Sequence, residues 1–105
     1  MVRVHIWVRR KDGMSAEDFR DYWLTDHAPI ARDGYPNLRS YEVSLVTKVP
    51  EGQRAPYDGV AELTWDDREG FSADMKSEAA SRATEDLSSF ADSFGLLFVD
   101  HAVVK

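Results

Sequence analysis

Apolar and polar residues alternate along three stretches of the chain, at residues 2–10, 38–49 and 59–65. A period of two is typical of a β-strand that buries one face, so we predict a strand in each stretch. In the first stretch, valine or isoleucine occupies every even-numbered position up to residue 8, which predicts one strongly apolar face. A final stretch at residues 96–104 is rich in branched apolar residues and is predicted to be the fourth strand.

Apolar residues recur at helical spacing between residues 15 and 31, which predicts the first helix. Ser15 can cap its start, and Pro29 lacks an N–H, so the helix should bend or stop just past His27. His27 would then lie near a helix C-terminus, where the partial negative charge favours imidazolium and burial favours the neutral ring. The inward stripe should contain Phe19, Tyr22, Trp23, Asp26, His27 and Ile30.

A second helical region follows Asp66 and Asp67, either of which can cap its first turn. The apolar spacing shifts between Ser81 and Thr84, so we predict two helical pieces with a break there, and Gly95 is expected to end them. The element order is then βαββαβ. Right-handed crossovers give an antiparallel sheet in the order 4-1-3-2, with the helices on one face.

The other face of this sheet has no helical layer to cover it. It carries Arg3, His5 and Trp7, and an exposed sheet face with such side chains is expected to meet a second sheet. We therefore predict a homodimer. The fourth strand runs antiparallel beside the first, so we also expect His101 to lie close to His5.

Composition narrows the classes of function. The 105 residues predict a single domain, residues 1–105, and a net charge of −6 argues against nucleic-acid and anionic-membrane partners. The chain has no cysteine, which excludes disulfides, thiolate nucleophiles and cysteine metal ligands. No apolar run is long enough to span a bilayer, and no secretion signal is visible. We expect a soluble, cytoplasmic protein that binds a small molecule.

Five segments of the chain together resemble the EthD family. The most specific part is the run from Trp23 to Asp26-His27-Ala28-Pro29. The resemblance implies a ferredoxin-like α+β domain that pairs with a second copy to form a dimeric α+β barrel, in agreement with the dimer inferred from the uncovered sheet face. The segments are residues 10–15, 19–23, 26–29, 36–41 and 57–63.

Relatives in this superfamily include small isomerases, dehydratases, polyketide cyclases and cofactor-free monooxygenases that act on phenols, quinones and lactones. The resemblance implies that His27 corresponds to the histidine of the family, and that Tyr41 corresponds to the tyrosine in its second strand. Related methylmuconolactone isomerases carry a cysteine where this chain has Leu63. The chain therefore lacks the thiol that a thiol-dependent version of that reaction would need. Some relatives bind haem through a histidine, but the small size of this chain and the lack of a histidine in its second helical region argue against haem.

Each candidate residue has a chemical interpretation and a purely structural one. His27 could be a general base or acid, or a hydrogen-bonded core residue. Tyr41 could donate a hydrogen bond to the oxygen of a developing enolate, or its hydroxyl could simply lie at the rim of the core. Glu62 could be a buried acid with a raised pKa, or face outward. Five aromatic residues could bind a flat substrate or form ordinary core: Tyr22, Trp23, Trp65, Phe90 and Phe94.

The leading hypothesis is a cofactor-independent enzyme that transfers protons on an aromatic, quinone or lactone substrate, as an isomerase, dehydratase or cyclase with His27 as base or acid. No metal site is predicted, because His5, His27 and His101 fall on different elements without metal-binding spacing. Two alternatives share the same fold. One is a cofactor-free monooxygenase of a phenolic substrate, and the other is a non-catalytic ligand-binding or accessory dimer.

Overall fold

The computed structural model describes residues 1–105 and contains one four-stranded antiparallel sheet with helices on one face. The strands lie in the order β2-β3-β1-β4, which is the predicted order read from the opposite edge. The first and third strands have the predicted bounds, and the second ends at Leu45 rather than at residue 49. The strands are β1 (Val2–Arg10), β2 (Leu38–Leu45), β3 (Gly59–Trp65) and β4 (Ala91–Phe98).

The two faces of β1 are those that the alternation predicted. Val4 and Val8 are fully buried beneath the helices, whereas Trp7 lies on the uncovered face. Gly95 of β4 is the cross-strand partner of Trp7, and a Cβ added to this glycine would come within 2.3 Å of the indole Nε1. The Trp7 ring therefore lies directly against the backbone of β4, where a larger residue has no room.

Polar side chains cap three of the helices that cover the other face. Ser15 accepts a hydrogen bond from the Asp18 N–H, and Asp67 accepts one from the Gly70 N–H, as predicted. Ser77 caps the last helix in the same way. The helical elements are α1 (Ala16–Tyr22), a π-helical turn (Trp23–His27), α2 (Ala28–Gly34), α3 (Arg68–Met75) and α4 (Glu78–Leu87). None of these helices is long and apolar enough to cross a membrane.

The prediction that the first helix bends or stops at Pro29 was only partly right. The backbone widens into a π turn over Trp23–His27, where the Ala28 N–H donates to the Trp23 carbonyl, and then continues through Pro29 as α2. His27 is therefore inside a continuous helical segment and not at its C-terminus. Because each residue of a π turn rotates less about the axis than in an α-helix, Asp26 is turned away to solvent while His27 stays inward.

The boundaries in the second half of the chain also differ from the prediction. The break between the helices falls at Lys76 and Ser77, because the Ser77 hydroxyl caps α4. Strand β4 begins at Ala91, so Gly95 lies within it and ends no helix. The register places Leu97 opposite His5, and His101 lies beyond the end of the strand, so the expected pairing of the two histidines was wrong.

Candidate functional site

A cavity of about 470 Å³ lies between the sheet and the helices. It is large enough for a small organic molecule, and most of the residues that line it are hydrophobic. Three of the five aromatic residues predicted to bind substrate line it, namely Trp23, Trp65 and Phe94. The cavity can therefore hold a flat, largely apolar ligand.

His27 is the histidine that the helical layer places at this cavity. It is 8% exposed, and its Nδ1 lies 2.8 Å from a carboxylate oxygen of Asp86 in α4. Its Nε2 has no hydrogen-bond partner in the protein. Every fully buried side-chain nitrogen or oxygen does have a partner, so Nε2 must adjoin open space. Because His27 lines the cavity and its Nδ1 is bound to Asp86, Nε2 is the ring nitrogen that remains free for a ligand there.

Two opposing effects act on the His27 ring. Burial lowers the pKa of His27 below its ordinary value of 6.5, and the hydrogen bond and negative charge of Asp86 oppose that change without overcoming it. The ring is therefore neutral at neutral pH. A carboxylate only accepts hydrogen bonds, so the Asp86 contact places the ring proton on Nδ1 and leaves a lone pair on Nε2.

Asp86 also binds a second side chain. The Tyr22 hydroxyl donates to the other carboxylate oxygen at 2.7 Å, so Asp86 is held from both sides. This hydrogen bond is the largest cause of the raised pKa of Tyr22. Tyr22 therefore faces Asp86 and does not line the cavity, contrary to its predicted role in substrate binding.

Phe90 was predicted to line the pocket but is fully buried in the turn before β4. Its ring centroid lies 4.8 Å from that of His27, and its ring also packs against Phe19 and Trp23. These contacts pack Phe90 directly against the imidazole ring and support it. Phe90 does not line the cavity, in contrast to the predicted position.

Two tyrosine side chains supply further polar groups to the cavity lining. The Tyr41 hydroxyl accepts a hydrogen bond from the Trp23 indole at 3.0 Å, and burial raises the pKa of Tyr41. Tyr35, which follows α2, also lines the cavity, and burial raises the pKa of its phenol. Both phenols therefore stay protonated at neutral pH and can serve as hydrogen-bond donors.

Glu62 is not part of this site. It lies on the uncovered face of the sheet as the cross-strand partner of His5, where its carboxylate binds His5 at 2.8 Å and also pairs with Arg3. The His5 hydrogen bond and, to a smaller extent, the Arg3 charge lower the pKa of Glu62. The predicted buried acid with a raised pKa was therefore wrong, because the strand alternation turns this residue outward.

The three histidines remain on separate parts of the molecule. His5 lies on the uncovered sheet face, His27 on the cavity wall, and His101 after β4. No group of three or more histidine, aspartate or glutamate side chains is placed to hold a metal ion.

Two residues of the cavity region, Asp86 and Tyr35, were not predicted from the sequence. Asp86 stands seven residues after Ala79 and directly before Leu87, so helical periodicity places it on the inward stripe of α4. An acidic residue on an apolar stripe was the signal that could have identified it. Tyr35 offered no comparable signal, because it falls in a turn segment next to Pro36.

A comparison with solved structures finds the same fold in proteins of low sequence identity. An EthD family protein from Bacillus halodurans is 21% identical over 97% of this chain and 100% of its own, with a TM-score of 0.77. A hydroxynitrile lyase from Passiflora edulis is 15% identical over 97% of this chain and 95% of its own, with a TM-score of 0.75. A dimeric ferredoxin-like protein from Thermobifida fusca is 16% identical over 93% of this chain and 88% of its own, with a TM-score of 0.71.

At these identities the likenesses establish the ferredoxin-like α+β fold and nothing finer about chemistry. A comparison with curated proteins finds no match. A model of the EthD domain, however, matches residues 11–93, which include β2, β3 and all the helices. This match confirms the resemblance found in the sequence, and the chain belongs to the EthD family.

Proposed function

We propose that the protein is a cofactor-independent enzyme that transfers a proton on a flat aromatic, quinone or lactone substrate, as an isomerase, dehydratase or cyclase. The observation that carries this proposal is the orientation of His27. Its Nδ1 proton is bound to Asp86, and its Nε2 lone pair opens into an apolar cavity. A neutral, positioned imidazole in such a place suits a general base.

The proposed step needs only His27, Tyr41 and Asp86. His27 Nε2 takes a proton from an acidic C–H of the substrate, and the electron pair of that bond moves into an enolate whose negative charge rests on oxygen. The Tyr41 hydroxyl donates a hydrogen bond to that oxygen. The imidazolium is stabilised by Asp86, 2.8 Å from Nδ1. It then returns the proton to another atom of the substrate, or to a leaving hydroxyl.

The same base could remove the proton of a phenol, which is the first step expected of a cofactor-free monooxygenase. Oxygen consumption distinguishes this alternative from the first. One structural neighbour is a hydroxynitrile lyase, and a base is also needed to take the hydroxyl proton when a hydroxynitrile is cleaved. For that reason a hydroxynitrile belongs among the compounds to be tried.

We also propose that the protein is a homodimer joined through the uncovered sheet face. Trp7 and Leu97 lie on this face, and Leu97 is 55% exposed. Arg3, His5 and Glu62 form a charged network beside them. A neighbour of the same fold is described as dimeric, which supports the pairing.

The experiment that tests the catalytic proposal is solvent deuterium exchange, followed by NMR, on a panel of aryl ketones, hydroxyquinones and unsaturated lactones, with mandelonitrile cleavage assayed in parallel. We expect the wild-type chain to accelerate exchange at one carbon of at least one compound, and His27→Gln to abolish that acceleration. His101→Gln is the matched control, because His101 is exposed and lies outside the cavity. Equal rates in wild type and His27→Gln would overturn the proposal and favour a non-catalytic ligand-binding protein.

A further inference from the structure

The protons of two cavity-lining tyrosines have no acceptor in the protein. The Tyr41 oxygen accepts from Trp23 Nε1 at 3.0 Å, and its own O–H donates to no residue. The Tyr35 hydroxyl neither donates nor accepts a hydrogen bond within the chain. Tyrosine hydroxyls that are buried usually find a partner, so two free O–H groups beside one cavity call for an explanation.

The Tyr35 hydroxyl opens into the cavity. The residue as a whole is only 8% exposed, and its ring is held beside Trp65 with their centroids 6.4 Å apart. Every fully buried side-chain nitrogen or oxygen in the protein has a hydrogen-bond partner. The Tyr35 oxygen has none, so it must adjoin open space. Because Tyr35 lines the cavity, its free hydroxyl is available to a ligand there.

The charges around the cavity favour neutral donors over ion pairing. The cavity lining includes one carboxylate residue, Glu85, and no lysine or arginine, so while His27 is neutral no cation in the lining can pair with an anionic ligand. Burial raises the pKa of both phenols, and the neighbouring Tyr41 oxygen and Asp74 raise that of Tyr35 further. Both groups therefore keep their protons at neutral pH, and an anionic oxygen that binds while His27 is neutral would be stabilised by their hydrogen bonds.

We propose that Tyr35 and Tyr41 together form a two-donor site for the anionic oxygen of a flat phenolate or enolate. The inference deepens the proposed function, on which it rests for the use of the cavity by a small molecule. When His27 Nε2 takes the proton of a phenol, the electron pair stays on the phenol oxygen. When it takes a proton from a carbon beside a carbonyl, the pair forms an enolate. In both cases the negative oxygen accepts hydrogen bonds from the two tyrosines, and the proton stays on Nε2 until it returns to the ligand.

Binding of 4-nitrophenolate tests this site without requiring catalysis. Absorbance titrations are made at a pH where the free probe is already ionised and His27 is neutral, so that no proton transfer contributes. We expect the wild-type chain to bind the anion and Tyr35→Phe to bind it about tenfold more weakly, since a hydrogen bond to a charged group is lost. Tyr57→Phe is the matched control and should bind as wild type does, because Tyr57 lies in the loop before β3 and does not line the cavity.

Tyr35→Phe is expected to fold normally, because the hydroxyl that it removes has no partner in the protein. A loss of binding together with unchanged resistance to urea is therefore the expected signature of a ligand-binding role. Failure of the wild-type chain to bind the anion, or equal binding by Tyr35→Phe, would overturn the inference. The proposed catalytic function fails separately, if His27→Gln keeps the deuterium exchange, and in that case a two-tyrosine binding site would still stand.

Discussion

His27 Nδ1 lies 2.8 Å from Asp86 Oδ2, and the other oxygen of the same carboxylate accepts from the Tyr22 hydroxyl at 2.7 Å. Two donors thus converge on one carboxylate, which fixes both the orientation of the imidazole and the nitrogen that carries its proton. The π turn makes this possible. It holds Trp23 and His27 on the same inward side of the helix while Asp26 turns outward.

Replacing Asp86 with asparagine should disable the base while leaving the side-chain volume unchanged. Asparagine has one acceptor oxygen for the two donors, so its NH₂ group must face either Tyr22 or His27. In either orientation the imidazolium would lose the negative charge that stabilises it, and with the NH₂ group facing His27 the ring proton would also move to Nε2 and remove the lone pair. We expect proton exchange on a responsive substrate to fall by about a hundredfold or more.

NMR of ¹⁵N-labelled protein provides a readout of this change that needs no substrate. In the wild-type chain the His27 signals should report a neutral ring with its proton on Nδ1, and in Asp86→Asn they should report which end of the amide faces the ring. Asp21→Asn is the matched control, because Asp21 is exposed on α1 and lies outside the cavity. An unchanged tautomer in Asp86→Asn would show that the amide oxygen faces Nδ1, and unchanged proton exchange in that variant would contradict the role of the Asp86 charge in supporting the base.

The free energy of unfolding should depend on pH through His27. The pKa of His27 is lowered in the folded state, so below pH 6.5 the unfolded chain takes up a proton that the folded chain resists. The free energy of unfolding should therefore fall as the pH drops below 6.5, and the group should contribute no pH dependence above that value. Urea unfolding between about pH 7.5 and 5.5 measures this slope, which should be smaller in His27→Gln.

If the free energy of unfolding had the same pH slope in wild type and in His27→Gln, His27 would bind its proton equally well in the folded and unfolded chains. The titration of Glu62 does not contribute to this slope between about pH 7.5 and 5.5. Its pKa is lowered from 4.5, so the stability that it contributes is present above that value and is lost only as the pH falls further.

The Trp23–Tyr41 hydrogen bond should be worth more to stability than the Tyr35 hydroxyl. Trp23 is 1% exposed, so Tyr41→Phe would leave the indole Nε1 buried without a partner, at a cost of about 1–3 kcal/mol in the free energy of unfolding. Tyr35→Phe removes no hydrogen bond within the protein and should change it by less than about 0.5 kcal/mol. Urea denaturation of both variants measures the difference, and equal losses would contradict it.

Much of the sheet could be predicted from the sequence because the strand period leaves little freedom. A slip by one residue in β1 would expose Val4 and Val8, so the alternation fixes which face the helices cover. The sheet order then follows from the handedness of the crossovers. The start of β4 was missed because Phe90 and Phe94 are spaced four apart, which fits a helical stripe as well as a buried turn followed by a strand.

The candidate site was less predictable because it depends on contacts between distant elements. The aromatic stripe correctly placed His27 inward, but the identity of its partner depends on how α4 packs across the π turn. Periodicity could have placed Asp86 on the correct face of α4, although it could not have given its distance from His27. The free hydroxyl of Tyr35 depends on the shape of the cavity, which local sequence does not encode.

The proposed dimer makes a prediction about one exposed residue. Leu97 lies on the uncovered face of the sheet, opposite His5, and would be buried if two such faces met. Leu97→Lys would place an ammonium group at that interface near Arg3, so we expect dimerisation to weaken by about a hundredfold. Sedimentation equilibrium at several protein concentrations measures this change.

Leu24→Lys provides the matched control, because Leu24 is 40% exposed on the helical side of the molecule, and it should leave the dimer intact. If Leu97→Lys stayed as dimeric as wild type, the uncovered sheet face could not be the interface, and the Trp7 and Glu62 side chains on it would have to be explained by contacts within one chain.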